Sequence, residues 1–159
     1  MSATRLVARE DLAAYRVGPP PATALLHSVA LPDTRPPTHS EWIAAIRSGL
    51  PAQALDALTA ALAISQSEFA QALNFPERTL ARRKKEGTLT PDESAKLVRV
   101  ARIFEFASGV FETPAAARDW LKSPNPEFDD ATPLSLLDTE IGAEAVTETL
   151  GRIAHGVFA

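Results

Sequence analysis

Thr-Pro occurs three times in the second half of this chain, each time just ahead of an apolar run (Thr90-Pro91, Thr113-Pro114 and Thr132-Pro133). A threonine hydroxyl can accept from the first free amides of a helix. Proline at the first helical position has its φ preset and lacks an N–H that would go unpaired anyway. At Thr90-Pro91-Asp92-Glu93 the glutamate completes a capping box. Leu97, Val100, Ala101 and Phe104 then follow at i, i+3, i+4 and i+7 spacing, which predicts one buried helical face. The second pair precedes AAARDWL and the third precedes LSLL. No segment alternates apolar and polar residues in the two-residue period of a strand, so the chain is predicted to be all-α.

The same punctuation continues upstream. Ser40 is expected to cap a helix with Trp42, Ile43 and Ile46 on one side, and Gly49 stands where a helix stops. Pro51 is expected to open the next helix, with Leu55, Leu58, Ala61 and Leu62 on one face. The last helix is predicted over residues 141–155, with Val146, Leu150 and Ile153 in line and Gly156 as its stop. Ahead of residue 39 the pattern fails. Residues 1–16 are a weak helical candidate, and residues 17–38 hold six of the thirteen prolines, which favours extended backbone. Residues 1–38 therefore read as an arm, either flexible or ordered on a partner.

Charge divides the chain. The net −4 conceals +4 over residues 76–102, with 8 basic and 4 acidic residues, and −7 over residues 103–159, with 3 basic and 10 acidic. A basic centre beside an acidic end suits partners of opposite sign. Cysteine is absent, which excludes thiolate metal sites and thiol catalysis. The three histidines, His27, His39 and His155, have no i,i+3 or i,i+4 pairing for a metal, and no phosphate loop, nucleophile elbow or paired-carboxylate motif is present. Asp129-Asp130 reads as a solvated turn. Neither an enzyme nor a cofactor or metal protein is expected. No signal pattern appears and no apolar run approaches the ~18 residues of a membrane span, so a cytoplasmic location with no membrane partner is expected.

The basic concentration falls in QSEFAQALNFPERTLARRKK, residues 66–85, which fits the twenty-position helix–turn–helix pattern. Ala70 is the small residue where the helices approach most closely. Asn74 stands at the turn position that needs positive φ, a conformation asparagine tolerates better than most residues. Phe69, Leu73, Phe75 and Leu80 supply buried positions, while Arg83 occupies a place that is usually aliphatic. With Leu80 inward, the second helix presents Arg78, Ala81, Arg82 and Lys85 outward, toward a major groove and its phosphates. Arg78 and Arg82 suit guanine edges; Arg83, Lys84 and Lys85 suit phosphates. With Thr79, these five basic residues make up the DNA-facing set.

Residues 49–107, and above all the string Arg78 to Ala101 (RTL-x-RRK-x-x-G-x-L-x-x-x-ES-x-x-L-x-R-x-A), resemble the N-terminal half of Xre/ParS-type antitoxins of the RES–Xre toxin–antitoxin class. Residues 115–159 resemble that family's toxin-binding domain through Trp120-Leu121, Pro124-Asn125, Thr132-Pro133-Leu134, Asp138-Thr139, Gly151-Arg152-Ile153 and His155-Gly156-Val157-Phe158. The resemblance spans roughly residues 40 to 159. The acidic loop at Asp129-Asp130 departs from the family pattern, and no loop contact is carried over.

The resemblance implies an antitoxin that binds a cognate RES-domain toxin, an enzyme that destroys NAD⁺. Its C-terminal end would block the toxin's active site, and it would repress its own operon by binding operator DNA. The expected domains are a Pro-rich arm over 1–38, a helix–turn–helix domain over 39–107 and a small helical toxin-binding domain over 108–159. Trp120, Arg152, His155, Gly156, Val157, Phe158 and Ala159 form the expected toxin-binding set. Beyond the Gly156 stop, an apolar tripeptide with a terminal carboxylate suits a pocket built for an anionic dinucleotide. Taken alone, Trp120 also reads as core, and Arg152 and His155 as favourable charges at a helix's negative end. A homodimer or a larger complex with toxin is expected, because helix–turn–helix readers usually meet paired half-sites. The competing reading is a stand-alone dimeric regulator whose C-terminal domain dimerises or senses a ligand.

Overall fold

A computed structural model describes residues 37–156. The predicted arm therefore lies almost wholly outside the described residues, as do Val157, Phe158 and Ala159. Among the described residues seven α-helices follow in order: α1 His39–Ser48, α2 Gln53–Leu62, α3 Gln66–Ala72, α4 Glu77–Glu86, α5 Pro91–Val110, α6 Pro114–Lys122 and α7 Glu140–Ala154. Two 3-10 turns, Pro126–Phe128 and Pro133–Asp138, link α6 to α7. Among the described residues the only strand-like pairing is an isolated bridge between Pro51 and Thr88, so the all-α expectation is met.

All three Thr-Pro pairs start helical segments. Thr90 caps α5 through the Glu93 amide, and the Glu93 carboxylate returns to the Thr90 amide at 2.8 Å. Thr113 caps α6 and Thr132 caps the second 3-10 turn. Several sequence boundaries shift. The cap of α1 is Thr38, boxed with Glu41, rather than Ser40. The second helix opens at Gln53, because the Pro51 segment is drawn into pairing with residues 87–89: Leu89 N donates to Leu50 O at 2.9 Å and Ala52 N to Gly87 O at 3.0 Å. LSLL closes as a 3-10 turn. Ile43 does not share the inward face of Trp42 and Ile46 but is 48% exposed, since consecutive helical residues point about 100° apart.

The architecture is organised around α5, a 20-residue helix whose Leu97, Val100, Ala101, Phe104 and Ala107 are buried. Helices α1, α2, α6 and α7 and the second 3-10 turn pack on it. The buried apolar residues form one cluster running from Leu50 to Leu150. The expected division after residue 107 falls inside α5, so the two functional halves share this helix and one core. Arg118 reinforces the union: its guanidinium donates to the Ala61 carbonyl at the end of α2, at 3.0 Å. Arg99 does the same on the other side, donating to the Leu137 carbonyl at 3.3 Å and pairing with Glu140 at the start of α7.

Two glycines permit close backbone contacts. A Cβ on Gly142 would lie 2.0 Å from the Leu136 carbonyl oxygen, so α7 can pass the 3-10 turn only without a side chain there. Gly49 has φ +87°, and its Cβ would lie 2.2 Å from the Leu89 carbonyl oxygen. Gly49→Ala combines backbone strain with a clash against fixed backbone. It is expected to destabilise the fold by about 2 kcal/mol or more in denaturant unfolding.

Candidate nucleic-acid interface and last helix

The helices α3 and α4 are a helix–turn–helix pair built as the spacing requires. Ser65 and Glu68 cap α3 reciprocally; those hydrogen bonds from the Ser65 backbone and side chain hold the Glu68 carboxyl below its ordinary value. Asn74 takes φ 54°, and the next amide, that of Phe75, donates to the Ala70 carbonyl at 2.8 Å. Phe69, Ala70, Leu73 and Leu80 are buried, and Phe75 stacks on Phe69 with centroids 6.2 Å apart. Lys96 finishes the turn, with its ammonium 4.8 Å from the Phe75 ring centroid. It also lies 3.5 Å from the Leu73 carbonyl, at the negative end of α3. Nothing in the sequence pattern marks Lys96, because its partners come from the α3–α4 turn about twenty residues away.

On α4 the exposed residues Glu77, Arg78, Ala81, Arg82 and Lys85 form one outward stripe, at i, i+1, i+4, i+5 and i+8. Arg78, Arg82 and Lys85 thus stand on the face expected for them; Arg82 lies 3.7 Å from Glu86 in an exposed i,i+4 pair. The other three members of the expected DNA-facing set are placed differently. Thr79 is half-buried. Lys84 reaches back to Asp56 of α2 at 3.0 Å, and the same carboxylate also accepts from Gln66.

Arg83 departs most from the sequence reading. Its side chain is only 14% exposed, and it turns inward rather than toward phosphates. Its Nε donates to both Glu93 carboxylate oxygens, at 3.0 and 2.8 Å, and its Nη1 to Glu86 at 2.6 Å. An ion pair thus fills the place where the motif usually puts an aliphatic side chain. Burial alone would push the Glu93 carboxyl up, but the Thr90 amide and the Arg83 guanidinium outweigh it, and the carboxyl sits below its ordinary value. The hydrogen bonds to Glu93 and Glu86 push the Arg83 guanidinium further up.

In the last helix, Thr139 caps α7 through the Gly142 amide, and Val146 and Leu150 are buried. Arg152 is occupied within the fold: it pairs with Glu127 of the first 3-10 turn and donates to the Thr149 hydroxyl at 3.0 Å. His155 is the exposed C-cap, its amide donating to the Gly151 carbonyl at 3.1 Å, and Gly156 follows with φ 65°. Trp120 is half-buried on the Phe111 ring, with centroids 5.6 Å apart, which favours its packing role. Ile141, in the first turn of α7, is 80% exposed. Among the described residues no group of three or more His, Asp or Glu side chains could hold a metal ion, and no helix is long and apolar enough to cross a membrane.

A left-handed Asn74 turn between two packed helices, a basic outer stripe on the second and further helices sharing its core define a helix–turn–helix protein with an appended helical unit. Residues 41–102 match the antitoxin Xre-like helix-turn-helix domain, and residues 107–156 match the antitoxin Xre/MbcA/ParS C-terminal toxin-binding domain. Antitoxin Xre of Yersinia enterocolitica is 32% identical over 145 residues, covering 88% of this chain and 96% of the relative. Antitoxin Xre of Pseudomonas putida is 40% identical over 83 residues, 52% of each chain. Antitoxin Xre of Photorhabdus laumondii is 31% identical over 116 residues, covering 72% of this chain and 78% of the relative. The chain belongs to the Xre antitoxin family, with a helix–turn–helix domain and a toxin-binding domain, and it is an antitoxin of a toxin–antitoxin system.

The Arg83–Glu93 pair makes a stability prediction. Glu93→Ala removes half of a capping box and leaves Arg83 without its main partner; the lost cap alone should cost about 1 kcal/mol in chemical unfolding. A double change of Arg83→Leu and Glu93→Gln keeps the box and removes both charges, and should melt close to the wild type. Because the Glu93 value is lowered on folding, its contribution is present above the ordinary carboxylate value and is lost as pH falls through the folded one. Wild type should therefore lose more stability than the double variant between neutral and acid pH.

Proposed function

We propose that this antitoxin neutralises a RES-domain, NAD⁺-degrading toxin by placing the residues from His155 onward over the toxin's active site. We propose too that it represses its own operon through α4. The observation that carries the first part is the end of α7. Leu150 is the last buried residue, and beyond it His155 and Gly156 stand exposed, clear of the core. The Arg152–Glu127 pair ties that last turn to the first 3-10 turn. In this reading Arg152 positions the inhibitory end, while His155, Gly156, Val157, Phe158 and Ala159 meet the toxin. Trp120, packed on Phe111, belongs to the same toxin-binding set. The net −7 of residues 103–159 suits a basic cleft.

The second part is supported by the outward stripe of α4. Arg78 and Arg82, the latter only in an exposed pair with Glu86, can approach base edges, and Lys85 phosphates, whereas Arg83 serves the fold and Lys84 leans on α2. Two copies presenting paired recognition helices, as a homodimer or within a complex with toxin, complete the operator reading.

Removing residues 156–159 is expected to abolish rescue of cells expressing the toxin and restore NAD⁺ loss, while operator binding is retained; intact rescue would rule out the occlusion. Arg82→Ala should weaken operator binding by roughly 1–3 kcal/mol and relax preference at one position, and Lys85→Ala should lower the salt slope by about 1. Electrophoretic mobility shifts at several salt concentrations separate these two effects. A chain that binds its operator but retains no toxin on co-expression would be a stand-alone regulator.

A further inference from the structure

The outward stripe of α4 contains one residue whose charge does not suit DNA. Glu77 is the first residue of the helix, exposed and on the same side as Arg78, Ala81, Arg82 and Lys85. In a helix–turn–helix, the N-terminal residues of the second helix are those brought against base edges. A carboxylate there is repelled by phosphates and has only acceptors to offer, so it cannot contribute to backbone contacts.

An acid in a first helical turn usually needs no further explanation than the helix dipole, for which its direction hardly matters. Glu77 has a definite direction. The N-cap of α4 is Pro76, with no side-chain cap bond, and the carboxylate is held instead by the adjacent helix: Ser67 Oγ on α3 donates to Glu77 Oε1 at 2.6 Å. Among the described residues Glu77 forms no ion pair with the arginines beside it, and the Ser67 bond engages one oxygen only. One turn further on, Ala81 is too small to cover the carboxylate.

We propose that Glu77 is a base-reading residue that accepts a hydrogen bond from the N4 amino group of a cytosine in the major groove, with Ser67 as its positioning residue. The proposal rests on the DNA-binding reading above. The choice of base follows from edge chemistry. Guanine presents two acceptors and thymine an acceptor with a methyl group, so both repel a carboxylate; adenine sets its amino donor beside its own N7 acceptor; cytosine alone presents a donor with no acceptor on its own edge. Arg78, the next residue, carries the complementary chemistry for guanine. A negative group on an otherwise basic stripe also lowers attraction to DNA in general, so Glu77 gains specificity at the expense of sequence-independent affinity.

The test is selection of bound duplexes from a randomised pool, using the full chain alone and in complex with its co-expressed toxin. The variants are Glu77→Ala, Glu77→Gln, Ser67→Ala and Ser67→Thr. Both positions are exposed, so circular dichroism and melting of all four variants should match the wild type. Wild type should select a cytosine at one position of its half-site. Glu77→Ala should lower that preference about 10-fold while the other positions keep theirs. Glu77→Gln should move the preference toward adenine, whose N6 and N7 a glutamine side chain matches. Ser67→Ala should lose part of the same preference and Ser67→Thr should keep it, a pattern that a merely structural hydroxyl would not produce. Identical motifs from wild type and Glu77→Ala, or a uniform change of affinity across all positions, would overturn the proposal. A pool from which wild type selects no motif in either state would instead sink the DNA-binding reading, and this proposal with it.

Discussion

The junction at Thr90 is the constraint on which the rest of the structure depends. The Glu93 carboxylate takes the Thr90 amide at 2.8 Å and the Arg83 guanidinium at 2.8 and 3.0 Å. One residue later, Ser94 Oγ donates to the Thr90 carbonyl at 2.7 Å and accepts from the Leu50 amide at 2.8 Å. Three elements therefore meet at one capped helix start: the end of α4, the beginning of the central helix and the link between α1 and α2. Each polar group there is satisfied by another, and none could be removed without leaving a partner unpaired in a largely dry position. The orientation of α4 is thus set by the same bonds that begin α5.

From that junction α5 carries the geometry to the other end of the molecule. Its buried side chains contact α1 and α2 on one side and α6 and α7 on the other, within a single apolar cluster. Arg118 on Ala61 and Arg99 on Leu137 and Glu140 tie the two halves at their edges. The helices α4 and α7 share one core and cannot turn independently without breaking it. Under the proposed function, a toxin at the end of α7 and an operator at α4 would be held in a fixed mutual orientation.

The distribution of charge follows the same division of labour. The basic run that stands out in the sequence separates in space into three groups. Arg78, Arg82 and Lys85 face outward, Lys84 and Asp56 bind α4 to α2, and Arg83 enters the junction. The acidic second half is likewise not uniform, since Glu127 and Glu140 are engaged by arginines while Glu144 and Glu148 lie exposed along α7.

Much of this was legible from local patterns. Three Thr-Pro pairs located three helical starts, the apolar spacing after Thr90 identified the buried face of α5, and Ala70, Asn74 and Leu80 identified the helix–turn–helix. All of these depend on interactions within a few residues, which spacing encodes directly. What local pattern did not reach were pairings between distant segments. The drawing of Pro51 toward Thr88 delayed the start of α2, and the Ser67 bond gave Glu77 a direction that no count of charges suggests. The sequence suggests a phosphate contact for Arg83 because it carries charges without saying which way they point. Only the tertiary structure brought Glu93, ten residues on, within hydrogen-bond reach and turned that guanidinium inward, since a charged group leaves water only where a partner is already held in place.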